Sequence, residues 1–229
     1  MTKNYNLRAR LFPTIITAIP FVILANCLMN QYLKEQLSQI DTWLQGTIHV
    51  GLSAAIIYFL SQINRIVSKE VFQRMYFKDE QHMPSTDYML HADGFFEPVI
   101  KDKIRDKIST RYSIDLLTID AERSDTGRAR RMIATACSQI RNDLRSNSLL
   151  LQHNIEYGFI RNLIGGCLLA FLASFVLLLY SGAAANSLIT GAAVFLGLFY
   201  LTVMLSGKWL IHRTGSYYAK VLYEQFLSL

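Results

Sequence analysis

The stretch that decides the fold is residues 162–207, NLIGGCLLAFLASFVLLLYSGAAANSLITGAAVFLGLFYLTVMLSG, which runs for 46 residues without an Asp, Glu, Lys or Arg. A helix that crosses the hydrocarbon core of a membrane needs roughly 20 apolar residues. The stretch is therefore long enough for two crossings, and the small and polar run 181–187, SGAAANS, supplies a turn between them. Soluble helices are seldom this long without a charge, so we expect a membrane hairpin here.

Two further uncharged blocks lie upstream, at residues 11–33 and 42–64, and each is 23 residues long. Each block fits one crossing, so the chain is predicted to have four spans. The composition agrees, because only 17% of the residues are charged, against about 25% in an ordinary soluble domain. Pro13 and Pro20 predict a bend in the first span, because proline removes a backbone hydrogen bond.

The basic residues predict the orientation of these spans. Of the 23 Lys and Arg residues, 22 lie on one side of the four spans, and Lys34 is the exception. Because the basic side of a membrane protein is cytoplasmic, both termini are expected in the cytoplasm. The fold class is mainly α, with four transmembrane helices and a mostly helical cytoplasmic domain inserted between spans two and three. The expected segments are an N-terminal hairpin 1–64, the cytoplasmic domain 65–158, a C-terminal hairpin 159–207 and a cytoplasmic C-terminal helix 208–229.

Within the expected cytoplasmic domain, span two is predicted to continue as a helix over residues 66–77, followed by a polar connection over 78–87. A second helix is expected to begin near Pro98, a residue suited to the first helical position. Residues 112–119 have apolar positions compatible with a strand. The longest helix is expected to begin near Ser124, a reasonable N-cap, and to run to about residue 152.

This expected long helix is rich in arginine. Residues 65–156 carry 15 basic and 14 acidic side chains, so a basic surface requires that the charges be segregated. Several arginines together bind phosphates bidentately, which favours a phosphate-bearing ligand as one interpretation. A solvated face near anionic lipid headgroups, or one paired with the acids of the domain, is the other. The candidate ligand-binding residues are Arg123, Arg128, Arg130, Arg131, Arg141 and Arg145.

Several polar and small residues lie inside the spans. Span two carries a polar stripe whose members recur at multiples of four, so they share one helix face. Polar groups inside a membrane usually face the bundle interior or water, so the stripe is expected either to line a pore or to hold helices together. In the last span, Gly197 belongs to a face of small residues suited to packing within or between subunits, and Gly165-Gly166 in span three predicts close helix packing. The stripe consists of Gln45, His49, Ser53 and Ser61.

The segment 152–162, which leads into span three, is rich in specific side chains. It is interpreted either as an interfacial belt at headgroup depth or as a coupling segment between the domain and the spans. We predict no catalytic residue, metal site or cofactor, because the histidines, acids and cysteines lack ligand spacing and no glycine-rich phosphate loop is present. The candidate coupling residues are His153, Asn154, Glu156, Tyr157 and Arg161.

The layout resembles the four-span membrane effectors of bacterial antiphage defence, and is most similar to the membrane effector of the Hailong system. The matching features are two N-terminal spans, a cytoplasmic insert with an Arg-rich helix, and the run His153-Asn154-Ile155-Glu156-Tyr157-Gly158 before the second hairpin. The four-span Kiwa membrane protein is similar in span count. The resemblance covers the whole chain in architecture and implies an oligomeric, channel-like effector regulated by a short oligonucleotide that a partner nucleotidyltransferase makes.

Two hypotheses of different class are compatible with these features. The first is a non-enzymatic effector in the bacterial inner membrane, which contacts membrane lipids and forms a homo-oligomer, with a tetramer favoured. It acts in antiviral defence and abortive infection, either as an ion channel or by perturbing the membrane. The second is a membrane-anchored adaptor that docks a cytoplasmic protein partner. A small transporter is disfavoured, because no charge inside a span marks a substrate path and no inverted repeat is evident.

Overall fold

The computed structural model of the chain describes residues 2–77 and 80–229. Helices account for 86% of these described residues, and the two stretches contain no strand, so the expected mainly α class is confirmed. The helices are α1 (Thr2–Asn6), α2 (Phe12–Tyr32), α3 (Lys34–Ser38), α4 (Thr42–Val67), α5 (Arg74–Phe77), α6 (Pro84–Asp87), α7 (Pro98–Tyr112), α8 (Ile119–Ser124), α9 (Thr126–Asp143), α10 (Ser148–Ala183), α11 (Ser187–Leu205) and α12 (Gly207–Leu227).

Four helical stretches are long and apolar enough to cross a membrane, as the sequence predicts. The first, Asn4–Tyr32, includes the π-helical segment Leu7–Leu11, and the second, Thr42–Phe77, includes the π-helical segment Ser68–Gln73. The third and fourth are α10 and α11. The predicted continuation of span two as a helix to Phe77 is therefore confirmed.

Contacts between residues divide the chain into two units. We call residues up to 72 together with 158–207 the membrane unit, and residues 73–157 together with 208–229 the second unit. The C-terminal helix α12, expected from the sequence as a separate segment, thus belongs to the same unit as α7 and α9. Two residues of the predicted connection 78–87, Lys78 and Asp79, lie outside the described residues.

The second unit has its own apolar core, built mainly from α7, α9 and α12. On α9, buried residues recur at three- and four-residue spacing, which is the pattern of a helix that packs one face inward. The C-terminal helix contributes the largest side chains, Tyr223 and Phe226, both fully buried. The other fully buried members from these helices are Ile104, Ile108, Ile133, Ala136, Cys137, Ile140, Ala219 and Leu222.

Two details of this unit differ from the sequence-based expectations. The predicted start of α7 at Pro98 is confirmed, but the expected strand over residues 112–119 is wrong. The helix ends at Tyr112, and Ser113 takes the left-handed conformation with a φ of 55°. The carbonyl of Leu117 accepts from the Arg105 guanidinium and lies 3.2 Å from His91 Nε2. Side chains therefore take the place of a neighbouring strand.

The expected single helix from Ser124 to residue 152 is also wrong in its bounds. Asp125, not Ser124, caps α9, since its Oδ1 accepts from the backbone N–H of Arg128 at 2.8 Å. The helix ends at Asp143, and α10 starts at Ser148, where Asn147 Oδ1 accepts from the N–H of Leu150 at 2.9 Å. A capping side chain at each start explains why the chain forms two helices here.

The turn between α10 and α11 lies within the run where the sequence predicts one. Ala185 has a φ of 50°, its N–H donates to Gly182, and the N–H of Asn186 donates to Ser181, which is the Schellman pattern of helix termination. Asn186 then caps α11 by accepting from the N–H of Ile189 at 3.1 Å.

Candidate functional site

In the membrane unit, two backbone carbonyls have a proline at the position where an α-helix would place their donor. In an α-helix the carbonyls of Ala9 and Ile16 would accept from residues 13 and 20, which are both proline. Asn162 Nδ2 donates to the Ala9 carbonyl at 2.7 Å, and the Tyr200 hydroxyl donates to the Ile16 carbonyl at 2.7 Å. A buried backbone carbonyl without a donor is costly, and α10 and α11 each supply a side-chain donor to one of these two carbonyls.

Asn162 also connects the two π-helical segments. Its Oδ1 accepts from Ser68 Oγ at 3.0 Å, and Ser68 opens the segment Ser68–Gln73, while Ala9 lies inside Leu7–Leu11. The asparagine is 2% exposed and Ser68 is fully buried. Segments of π-helix within longer helices are frequent at functional sites. One buried amide of α10 therefore bonds to a residue of each π-helical segment.

A second buried amide, Asn64, joins α4 to α2. Its Nδ2 donates to Thr17 Oγ1 at 2.9 Å and approaches Thr14 Oγ1 at 3.5 Å, and all three residues are 1% exposed. The two threonine hydroxyls donate to the carbonyls of Arg10 and Pro13, so they can accept from Asn64. Within the described parts of the chain, Asn64 Oδ1 is buried without a hydrogen-bond partner.

Glycines on α10 allow this close approach. A Cβ atom on Gly165 would lie 2.8 Å from the Asn64 carbonyl and 2.7 Å from the Ser68 side chain. A Cβ atom on Gly166 would lie 2.5 Å from Asn64 Nδ2 and 2.6 Å from Thr17 Oγ1. These distances are too short for any side chain, so the predicted role of Gly165-Gly166 in close helix packing is confirmed.

We call Thr14, Thr17, Asn64, Ser68 and Asn162 the buried polar seam. Its members are neutral amides and hydroxyls, which hold helices together in lipid without the cost of burying a charge. Sequence reasoning missed the seam, because its members lie on three separate helical stretches and share no spacing within the sequence. Pro13 could have indicated part of the seam, since a proline at position 13 removes the α-helical donor to the Ala9 carbonyl, which Asn162 contacts.

The polar stripe of span two lies on the side of α4 that is partly buried in the structure. His49 Nδ1 bonds with Asn26 Oδ1 of the first span, and Gln45 Nε2 donates to the carbonyls of Leu37 and Ile40 at 2.6 and 3.0 Å. These two residues hold α4 to the chain before it. The two serines of the stripe bond their own helix, Ser53 to the carbonyl of residue 49 and Ser61 to that of residue 58.

The small face of α11 lies against α10 of the same chain. A Cβ atom on Gly197 would lie 3.8 Å from Ser174 Cβ, which is an ordinary contact. Thr190 Oγ1 lies 2.9 Å from Ser181 Oγ, and Ala193 is 2% exposed. The structure therefore places Gly197 at a helix contact within the chain.

The six candidate ligand-binding arginines fall into two groups. Arg130 is used internally, with Nη1 2.6 Å from Asp87 Oδ1 and 2.7 Å from the Gln81 carbonyl. Arg141 is partly buried beside Cys137 and Tyr223, where burial raises the pKa of both groups and the positive charge of Arg141 opposes that rise. The four exposed members are Arg123, Arg128, Arg131 and Arg145.

Arg128 and Arg131 form an exposed pair on α9. They are three residues apart, so their side chains leave neighbouring positions of the helix surface. Arg131 Nη1 lies 3.5 Å from where a Gly127 Cβ would be, so its guanidinium extends over the first turn of α9. Among the described residues, neither guanidinium forms an ion pair within 4.0 Å, although Asp125 Oδ1 lies 3.5 Å from the same Gly127 Cβ position as Arg131 Nη1. Both arginine charges are therefore available to an external anion.

The candidate coupling residues lie on one uninterrupted helix, since α10 runs through the whole of segment 152–162. His153 Nδ1 lies 3.1 Å from Glu156 Oε2, which is an ion pair when the histidine is protonated. Tyr157 lies against α12, with a ring carbon 3.7 Å from where a Gly215 Cβ would be. Asn154 and Arg161 are partly exposed.

Sequence reasoning also missed a set of buried charges in the second unit. Lys101 is 4% exposed and its Nζ donates to the carbonyls of Leu90 and Asp93, both at 2.6 Å. Glu122 is 5% exposed and accepts from the N–H of His91 at 2.7 Å. Burial lowers the pKa of Lys101 and that of Arg105. These residues fix the loop that comes after α6, beside a cavity of about 420 Å³.

Comparison of the chain with known protein families, with curated proteins and with solved structures finds no match.

Proposed function

We propose that the protein is an oligomeric effector of the bacterial inner membrane that acts in antiphage defence and conducts ions or perturbs the bilayer. Its second unit lies in the cytoplasm and binds a short oligonucleotide made by a partner nucleotidyltransferase. The main support for the ligand is the exposed pair Arg128 and Arg131, whose guanidinium groups form no ion pair within 4.0 Å among the described residues.

The geometry of α9 supports an anion at this pair. The other face of the helix is buried in the apolar core, so the pair is held on a fixed element and not on a loop. Guanidinium groups bind phosphate oxygens through two parallel hydrogen bonds. Arg123 and Arg145 are exposed as well and add positive charge to the same unit.

The uncovered faces of two spans support an oligomer. On α4, Tyr58 and Phe59 are 71% and 64% exposed, and on α11, Phe195 and Leu198 are 70% and 61% exposed. Such side chains face lipid or another copy of the chain. We propose a homo-oligomer, with a tetramer favoured, that places several arginine pairs around one symmetry axis.

The orientation is tested with a reporter that is active only in the periplasm. Fusion at Ala184 gives signal, and fusions at His91 and at the C-terminus give none, because the basic residues flank the cytoplasmic ends of the spans. Periplasmic signal at His91 contradicts the proposed orientation.

The ligand is tested by titrating the detergent-solubilised protein with labelled DNA and RNA oligonucleotides a few nucleotides long. A charged hydrogen bond contributes about 1.5–3 kcal/mol. Because each 1.4 kcal/mol is roughly tenfold in affinity, Arg128→Ala with Arg131→Ala weakens binding by about a hundredfold or more. Binding also weakens steeply with salt, since phosphate contacts release counterions.

Two controls accompany the double variant. Arg128→Lys with Arg131→Lys keeps the charge and removes the bidentate geometry, so it weakens binding by less than the alanine pair. Lys103→Ala removes an exposed charge from α7 and leaves binding unchanged. Lys101 is unsuitable as a control, because it is buried and bonded to two carbonyls.

The effector and the adaptor predict different effects of expression in cells. An effector depolarises the membrane on induction, and the arginine pair alters that effect together with oligonucleotide binding. The membrane-anchored adaptor is favoured if the Arg128→Ala, Arg131→Ala variant binds oligonucleotides as the wild type does and if expression of the wild-type protein does not depolarise the membrane.

A further inference from the structure

The exposed face of α12 carries aromatic and basic residues in alternation. Trp209, Arg213, Tyr217 and Lys220 recur at spacings of four, four and three, so they form one stripe along the helix. Trp209 is 60% exposed and Tyr217 is 49% exposed. The opposite face of α12 supplies the apolar core of the second unit, so the helix cannot turn this stripe inward without unfolding that core.

The stripe forms one wall of a groove. The Arg213 guanidinium lies over the ring of Trp209 at 5.1 Å and over the ring of Tyr217 at 5.7 Å. Phe95, which stacks on Tyr88 with ring centroids 3.9 Å apart, lines the other side. The groove encloses about 460 Å³ and is lined by Phe95, Trp209, Arg213, Ser216, Tyr217 and Lys220.

Chain connectivity keeps the start of this stripe near a membrane surface. Trp209 is four residues beyond Leu205, the last residue of α11. Four residues reach at most about 14 Å when fully extended. Because α11 is one of the four candidate spans, Trp209 cannot lie far from the headgroup region of the leaflet where that span ends.

We propose that this groove binds the headgroup of an anionic phospholipid, with Arg213 and Lys220 on the phosphate and Trp209 at the level of the glycerol backbone. Tryptophan and tyrosine concentrate at membrane interfaces, where one end of the side chain is apolar and the other is polar. Basic residues next to a span attract the anionic lipids of the cytoplasmic leaflet. The groove combines both features on one helix face.

A soluble nucleotide is the competing ligand with the same phosphate chemistry. Nucleobases bind through open faces of aromatic rings. In this groove the Arg213 guanidinium already covers one face of both Trp209 and Tyr217, and Tyr88 covers one face of Phe95. Each of these rings keeps at most one open face, and Trp209 follows a candidate span by only four residues, so the site favours a lipid headgroup. This inference rests on membrane insertion and does not depend on the oligonucleotide proposed above.

Tryptophan fluorescence tests the proposal on the full-length protein, which has two tryptophans, Trp43 and Trp209. Trp43→Phe leaves Trp209 as the single fluorophore, and the protein is placed in nanodiscs of phosphatidylcholine with a fixed fraction of phosphatidylglycerol. Bromine atoms, which quench tryptophan on contact, are carried by one lipid at a time. We expect brominated phosphatidylglycerol to quench Trp209 several-fold more than brominated phosphatidylcholine at equal mole fraction.

Two further variants define the site. Arg213→Gln with Lys220→Gln in the Trp43→Phe background equalises quenching by the two lipids. Trp209→Phe leaves Trp43 as the reporter, and its quenching does not respond to the Arg213 and Lys220 substitutions. Equal quenching of Trp209 by both lipids in the Trp43→Phe protein overturns the proposal, and that result needs no variant of the groove. Quenching of Trp209 by added ATP instead, lost in the Arg213 and Lys220 variant, also overturns it in favour of a soluble phosphate ligand.

Discussion

Removing the hydroxyl of Tyr200 tests whether α11 compensates for a proline in the first span. The hydroxyl donates to the Ile16 carbonyl at 2.7 Å, and the residue is fully buried. Tyr200→Phe keeps the ring and leaves that carbonyl without a donor, because residue 20 is proline. Pro20→Ala restores the backbone N–H that would pair with Ile16 in an ordinary α-helix.

Hydrogen bonding inside membranes sets how much unfolding free energy Tyr200→Phe removes. Side-chain hydrogen bonds between transmembrane helices contribute about 0.6 kcal/mol on average and at most about 1.7 kcal/mol. A buried acceptor left without a donor costs about 1–3 kcal/mol. We therefore expect Tyr200→Phe to lower the free energy of unfolding by about 1–2 kcal/mol. For a chain of this size that corresponds to a fall of about 2–8 °C in the melting temperature.

The assay is SDS-induced unfolding in mixed micelles, monitored by far-UV circular dichroism, for the wild type, both single variants and the double variant. In the Pro20→Ala background the Ile16 carbonyl has its helical donor, so the effect of Tyr200→Phe shrinks to near zero. The four proteins form a double-mutant cycle, and its coupling energy is then about as large as the loss of unfolding free energy that Tyr200→Phe causes alone. An equal loss from Tyr200→Phe in both backgrounds would refute the reasoning, because the hydroxyl would then have no link to the proline.

Two further substitutions test the packing of each unit. Gly165→Ala places a Cβ 2.8 Å from the Asn64 carbonyl, so it lowers the free energy of unfolding by about 1–3 kcal/mol. Its control, Gly191→Ala, has nothing within 4 Å, so it leaves the free energy of unfolding unchanged or raises it by up to about 1 kcal/mol through helix propensity. The same midpoint of SDS unfolding for both variants would contradict this expectation. Asp143→Asn removes a carboxylate that accepts from Arg111 Nε at 2.5 Å and from Tyr112 at 2.8 Å, and these bonds lower the pKa of Asp143. Because the pKa is lower in the folded state, the stabilisation is present above the ordinary aspartate pKa of about 3.9 and is lost as pH falls through the folded value. Thermal melts of the wild type and Asp143→Asn therefore differ at neutral pH and converge in acid, and a constant difference across pH would contradict the ion pair.

The number and placement of the spans could be predicted because they depend on composition over long windows. A stretch of 46 uncharged residues has few alternatives in water. The start of α7 at Pro98 is equally local, since proline is suited to the first turn of a helix. The turn between α10 and α11 is likewise encoded in a short run of small and polar residues.

Long-range partners could not be predicted in the same way. Pro20 identifies a carbonyl that needs a donor, but nothing in the neighbouring sequence indicates that Tyr200, 180 residues away in the chain, supplies it. The expected strand at 112–119 failed for a related reason. Its apolar positions suit a strand, yet a strand needs a partner, and the Leu117 carbonyl is taken by the Arg105 side chain.

The Arg-rich helix shows how burial divides residues that look alike in sequence. Arg128 and Arg130 differ by two positions, which places them on different sides of α9. Arg130 meets Asp87 and is 20% exposed, whereas Arg128 is exposed. The sequence indicates the charge of the helix, and only the packing of its apolar face determines which arginines remain available to a ligand.

The uncovered side of α4 is the surface on which oligomer formation is best tested. Gly51 lies on this side next to Val50, which is 69% exposed, and a Cβ atom on Gly51 would meet nothing within 4 Å. Small residues on a transmembrane helix let a partner helix approach closely. Gly51→Leu therefore disturbs no contact within the chain, but it pushes a neighbouring subunit away. We expect native mass spectrometry in mild detergent to show a tetramer for the wild type and smaller species for Gly51→Leu, with unchanged unfolding by SDS.

Gly191→Leu makes the same change on the uncovered face of α11, since Gly191 is equally open within the chain and lies four residues before the exposed Phe195. Gly197 is less suitable, because it contacts Ser174 of its own chain and a large side chain there separates α10 from α11. If Gly51→Leu and Gly191→Leu both leave the tetramer intact, the uncovered side of α4 faces lipid. The subunit contact must then involve another surface. If the wild type is itself a monomer, the shared arrangement of arginine pairs is lost, and each chain would have to bind its ligand alone.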